Sequence, residues 1–134
     1  MSAVRRRKSG PYSYTSDVDP LTRIRAICLV LPESSERLSH GCPNFFVRGK
    51  IAFTMYLEDR HREPGATIWC PAPEGVQAEL VDAEPERFFV PPYVGHRGWI
   101  GVRLEVDPDW DEITEIIQDA YRRVAPKRLV ALLD

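Results

Sequence analysis

The stretch NFFVRGKIAFTMYL, residues 44–57, decides how this chain folds. Two apolar runs, 44–47 and 51–57, flank Arg48, Gly49 and Lys50, and two extended runs joined by a short glycine-containing turn are the pattern of a β-hairpin. Successive side chains of a strand point to opposite faces. Ile51, Phe53, Met55 and Leu57 are therefore expected toward the core, with Lys50, Ala52, Thr54 and Tyr56 on the other face.

Downstream, the charged segment 58–65 reads as an exposed loop, and 66–70 as a third strand that stops at Pro71. A short helix is predicted over 74–81, followed by a turn at Pro85. Phe88 and Phe89 lead into PPYVGHRG, residues 91–98, too rich in Pro and Gly for regular structure. Ile100, Val102, Leu104 and Val106 then alternate with Trp99, Gly101, Arg103 and Glu105, which marks another strand. The clearest helix opens at Asp107 and Pro108. Its apolar stripe is Trp110, Ile113, Ile116, Ile117, Ala120, Tyr121 and Val124, and Pro126 stops it. Residues 127–133 are expected to add a short terminal helix.

Upstream of the hairpin, Asp19 and Pro20 supply an N-cap and a favoured first helical residue. Leu21, Ile24, Ile27, Cys28 and Leu31 recur at helical spacing, and Pro32 is expected to end the helix. The polar stretch 33–41 carries no periodic signal. Residues 1–18, with basic, Ser, Gly and Pro content and no apolar period, read as a flexible basic arm, leaving 19–134 as a single domain.

A chain of 134 residues, 43% hydrophobic and 28% charged with mean hydropathy -0.32, is long enough to bury its own core without a disulfide or metal staple. Cys28, Cys42 and Cys70 are widely spaced and form no CxxC pair, so they read as reduced thiols. No apolar run approaches the roughly 20 residues that span a bilayer, and no signal-peptide core follows the arginines, so a cytoplasmic location without membrane contact is expected. Arg5, Arg6, Arg7 and Lys8 against Asp17 give residues 1–18 a charge of +3. The remaining residues hold 14 Lys plus Arg against 19 Asp plus Glu, a charge of -5. That balance weighs against a strong non-specific grip on phosphates.

Leu31-Pro32-Glu33, His40-Gly41-Cys42-Pro43 and 46–52 (FVRGKIA), followed in order by Phe88-Phe89, Pro91-Pro92-Tyr93, 98–102 (GWIGV), Trp110 and Ala120-Tyr121-Arg122, resemble the MmcQ/YjbR-like family over about residues 20 to 130. The resemblance implies an α+β fold of two layers, roughly α-β3-α-β2-α, with helices on one face of an antiparallel sheet. It also implies the double-wing, DNA-binding description given to such proteins, and a likeness to CyaY-like and secretion-chaperone-like folds. Fold alone does not establish function.

With helices on one side only, the alternation places Lys50, Thr54, Tyr56, Thr67, Trp69, Trp99 and Arg103 on the other. Aromatics beside cations suit stacked bases and phosphates, and equally a protein partner. The competing reading is cross-strand aromatic packing beneath a loop. Arg48 and Lys50 at the hairpin tip and His96 and Arg97 in the glycine-rich loop form two candidate wings, with solvated turns as the alternative. The candidate binding residues are thus Arg48, Lys50, Tyr56, Trp69, His96, Arg97, Trp99 and Arg103.

Ser34, Ser35, Ser39, His40 and Cys42 lie close together, and His40 with Cys42 resembles a fragment of a thiol or metal site, but neither a positioned third group nor three ligands at metal spacing accompanies them. His61 has no partner in sequence. The acidic residues Asp107, Asp109, Asp111, Glu112 and Glu115 fit helix capping better than a cation loop. No phosphate-cradling or zinc-protease motif occurs. The expectation is a non-catalytic binding protein with no cofactor or metal, contacting DNA or alternatively a protein partner, as a monomer or weak homodimer.

Overall fold

The structure, a computed structural model, describes residues 18–134, so the basic arm lies outside the described residues except for Val18. The elements run α1 (Pro20–Cys28), β1 (Ser34–Ser39), β2 (Cys42–Val47), β3 (Ile51–Arg60), β4 (Glu63–Cys70), α2 (Val76–Ala83), β5 (Phe88–Phe89), β6 (Ile100–Arg103), α3 (Trp110–Val124) and α4 (Lys127–Val130). The six strands form one antiparallel sheet in the order β1-β2-β3-β4-β6-β5. The fold is α+β in two layers, with one strand more before α2 than the family pattern implies.

All four helices contribute to the core on one side of the sheet, here the inner face. Ile24 and Cys28 of α1, Leu80 of α2, Ile113, Ile117 and Tyr121 of α3 and Leu129 of α4 pack there against Phe45, Phe53, Ile68 and Val102. Asp19 caps α1 by accepting from the Thr22 amide at 2.8 Å. Asp109, rather than Asp107, caps α3, accepting from the amides of Asp111 and Glu112. The Tyr121 hydroxyl donates to the Pro32 carbonyl at 2.6 Å, tying α3 to the connection between α1 and β1. Arg87, almost fully buried, pairs with Glu84 at 2.9 Å and Glu112 at 2.6 Å, which joins the end of α2 to α3.

Four readings of the sequence need correction. The first helix ends at Cys28, not at Leu31; the chain turns there through a bond from the Leu31 amide to the Cys28 carbonyl, leaving Leu29 and Val30 exposed. The polar stretch 33–41 contains edge strand β1, anchored by a bidentate pair between Arg25 of α1 and Glu36. Segment 58–65 is not a loop: β3 and β4 continue through it to a two-residue turn, His61-Arg62, with both residues at positive φ. Phe88-Phe89 pairs with β6 as a short strand.

The hairpin alternation also breaks. Phe45 pairs with Thr54 whereas Phe46 pairs with Ala52, so Phe53 is an extra residue in β3. Such a β-bulge reverses which parity faces the core. Phe53 and Tyr56 lie on the inner face, Met55 and Leu57 on the outer one, and Ile51 is half exposed.

Cys28 and Cys70 sit in the inner core, with the Thr54 hydroxyl 3.6 Å from Cys70 Sγ. Burial pushes the Cys70 thiol up to about 12 and raises Cys28 further, with the nearby Cys70 adding to the latter. An unfolded thiol ionises near 8.5. Below that pH both thiols are protonated folded or unfolded and contribute no pH dependence. Above it the unfolded chain releases protons that the folded chain keeps, so stability falls by up to about 1.4 kcal/mol per pH unit per thiol until the folded values are reached. Urea midpoints measured at pH 8, 9 and 10 should therefore decline, and more shallowly in a Cys28→Ala, Cys70→Ala variant.

Candidate functional site

Among the described residues the outer face carries no α-helix and is covered instead by the connection between β5 and β6, which includes one 3-10 turn at Gly95–Arg97. Cys42, Leu57, Trp69, Phe89, Val94 and Trp99, with Met55 against them, form a second apolar cluster on this side. Register explains the cluster: Asn44 faces Met55, Met55 faces Trp69, and Trp69 faces Gly101, so one cross-strand row crosses four strands. Phe89 continues that row by pairing with Gly101. A Cβ on Gly101 would lie 2.5 Å from the Phe89 ring, so the ring can rest on the strand only because the side chain is absent.

The covering segment is fixed from two sides. Gln77 of α2 donates one amide group to the carbonyls of Gly95 at 2.8 Å and Trp99 at 2.6 Å. Gly95 lies so close to Val90 that a Cβ there would be 2.5 Å from the valine methyl. Val94 is thereby held in the outer cluster, and Tyr93 meets His61 ring to ring at 5.4 Å.

A cavity of about 440 Å³ remains between this segment and the sheet, lined by Ser39, His40, Cys42, Asn44, Met55, Leu57, Arg60, His61, Trp69, Tyr93 and Val94. Two tight turns supply its polar end. His40-Gly41 joins β1 to β2, His61-Arg62 joins β3 to β4, and all four residues have positive φ. His61 also packs against Trp69, with ring centroids 5.4 Å apart. The Ser39 hydroxyl lies 3.3 Å from His40 Nδ1.

Two cavity-lining side chains bury a polar atom without a protein partner: Asn44 Oδ1 and Trp69 Nε1. The residues are only 4% and 5% exposed. A buried polar atom left unpaired costs on the order of 1–3 kcal/mol, and natural structures carry few of them. One acceptor and one donor of this kind, both in the wall of one cavity, single it out.

The residues singled out in the sequence are distributed as follows. Trp69 and Trp99 meet in the outer cluster but are buried under the covering segment, so their rings are not an open stacking surface. Arg103 forks onto both oxygens of Glu63 at 2.8 and 2.9 Å, donates to the Pro85 carbonyl and lies over Phe89. Tyr56 sits on the inner face, opposite to the side expected, and its hydroxyl donates to Glu58 at 2.6 Å. Arg48 at the hairpin tip pairs with Glu33 at 3.0 Å, beside an exposed Lys50. His96 and Arg97 are exposed, and Arg97 lies over the Trp99 ring. Thr54 too is on the inner side, against Cys70. Asn44, Arg60 and Tyr93 were not singled out; the one hint was a polar asparagine at the head of an otherwise apolar run.

Among the described residues no cluster of three or more His, Cys, Asp or Glu side chains could hold a metal ion. No helix among them is long and apolar enough to cross a membrane.

These features define a two-layer α+β domain with a ligand-sized cavity on the sheet face that the helices leave bare. The YjbR family model matches residues 29–123, and the chain belongs to that family. A crystal structure of the Deinococcus radiodurans protein DR2400, whose domain is described as DUF419, superposes with a TM-score of 0.68 over 84% of this chain and 86% of that one. At 17% identity the likeness is one of fold. No curated protein matches the chain.

If the Asn44 amide is held in the cavity wall at a cost to folding, removing it should stabilise the protein. Asn44→Leu is expected to raise stability by up to about 1 kcal/mol in urea unfolding. A loss of similar size would mean that the amide is satisfied in solution.

Proposed function

We propose that this domain is a non-catalytic binding protein whose ligand is a small molecule held in the outer-face cavity. The observation that carries the reading is the pair of buried, unpartnered polar atoms, Asn44 Oδ1 and Trp69 Nε1, in the wall of one cavity. Its volume lies within the range of about 300–1,000 Å³ common to small-molecule sites. The lining also has their usual composition: an apolar body of Met55, Leu57, Trp69 and Val94 with a few polar groups at one end. The test is a nuclear magnetic resonance screen of aromatic and heteroaromatic fragments, read at the indole N–H of each tryptophan. Fragments that bind should displace the Trp69 signal, compete with one another and lose affinity in Val94→Trp, which narrows the cavity. Binding that leaves Trp69 unmoved, or no binding, would sink the reading.

A second reading, contact with nucleic acid, is supported by the exposed cations Lys50 and Arg97 and the exposed His96. Two arginines that would join them, Arg48 and Arg103, are instead paired with Glu33 and Glu63. The body's charge of -5 favours the small molecule. Fluorescence anisotropy of a labelled DNA duplex across a salt series separates the two. Nucleic-acid contact predicts that Lys50→Glu with Arg97→Glu weakens binding and flattens its salt slope, whereas no change from these reversals removes this reading.

A further inference from the structure

Resting on the cavity as a ligand site, we infer that its ligand class is a small, flat aromatic or heteroaromatic carboxylate, with the ring against Trp69 and the carboxylate on Arg60. The charge balance of the cavity is one-sided: among the described residues its lining includes Arg60, His40 and His61 but no Asp or Glu.

Among the described residues no carboxylate pairs with Arg60, because its acidic neighbours are already engaged. Its cross-strand partner by register is Glu63, which is taken by the two-pronged pair with Arg103. Glu58 accepts from the Tyr56 hydroxyl, and Asp59 accepts from the Gly65 amide at 2.7 Å. Three acidic side chains stand within three residues of Arg60, and each is committed elsewhere. The guanidinium instead leans over the β1–β2 turn, making a long 3.4 Å contact to the His40 carbonyl. A planar guanidinium is the best match for a carboxylate, which it can grip with two parallel hydrogen bonds.

The remaining walls select the rest of the molecule. Trp69, His61 and Tyr93 present rings linked by successive 5.4 Å contacts, and Met55 and Leu57 supply aliphatic surface from the sheet. An aromatic ring in contact with such walls gains more than an aliphatic chain of equal area. His40 and His61 line the same cavity as Arg60, and an imidazole ring carries nitrogens able to hydrogen-bond a ligand oxygen.

Three isosteric probes test the class on the full chain: 2-naphthoate, its neutral amide 2-naphthamide, and the cation 2-naphthamidine. Titrations followed at the Trp69 indole N–H and by calorimetry should rank naphthoate about tenfold or more tighter than the amide, with the amidine weakest. Arg60→Gln should bring naphthoate to the level of the amide while leaving the amide unchanged, and Arg60→Lys should retain part of the preference. Arg60 is exposed, so either variant keeps the fold, which its urea midpoint verifies. If the amide or amidine displaces Trp69 as well as naphthoate does, the carboxylate inference fails while the cavity remains a binding site. If none of the three moves Trp69, both fall.

Discussion

One extra residue in β3 sets the character of both faces of the sheet. Without the bulge at Phe53, strict alternation would send Phe53, Met55 and Leu57 to one side together. With it, Phe53 and Tyr56 fill the core beneath the helices, while Met55 and Leu57 emerge on the other face. The outer face is apolar as a result. It needs cover, and the connection between β5 and β6 provides it.

That cover is thinner than a helical layer, and the cavity follows from the difference. Four helices fill the inner side with interlocking side chains, whereas the outer side has one segment pinned at Gly95 and Trp99 by Gln77. Val94 and Trp99 close against the sheet in one cluster with Cys42, and the cavity lies where Tyr93 and Val94 of the segment stand opposite Asn44, Met55 and Leu57. The apolar wall and the polar rim come from different parts of the hairpins: wall residues from strand interiors, His40 and His61 from the turns.

Elements with a strong period were legible. The stripe of α3 and the two apolar runs around Arg48-Gly49-Lys50 announce themselves because many residues repeat one message. Strand β1 was not legible: an edge strand pairs on one side only, and its Ser and charged residues are what such an edge tolerates. The His61-Arg62 turn was hidden because neither residue is the Gly or Asn that positive φ usually selects. The bulge has no sequence mark either, and it moved Tyr56 and Thr54 to the inner side. Of the site, Trp69, His40 and Cys42 could be noticed singly. Their meeting depends on the register of four strands and on a returning loop, which no local pattern encodes.

The ionic pairing of the molecule gives the cavity its sign. Arg25 with Glu36, Arg48 with Glu33, Arg87 with Glu84 and Glu112, and Arg103 with Glu63 each join elements distant in sequence or cross a turn. The exposed ones among them, such as Arg48 with Glu33, add little stability, but a forked pair fixes direction. Glu63 turned toward Arg103 cannot also serve Arg60, even though register sets Arg60 opposite it. A domain whose body is acidic overall thus keeps in the lining of its apolar cavity a guanidinium that no carboxylate among the described residues pairs with. In such surroundings an anion that brings its own flat apolar surface gains both charge pairing and burial, whereas the polyanionic backbone of a nucleic acid meets the acidic remainder of the surface as well.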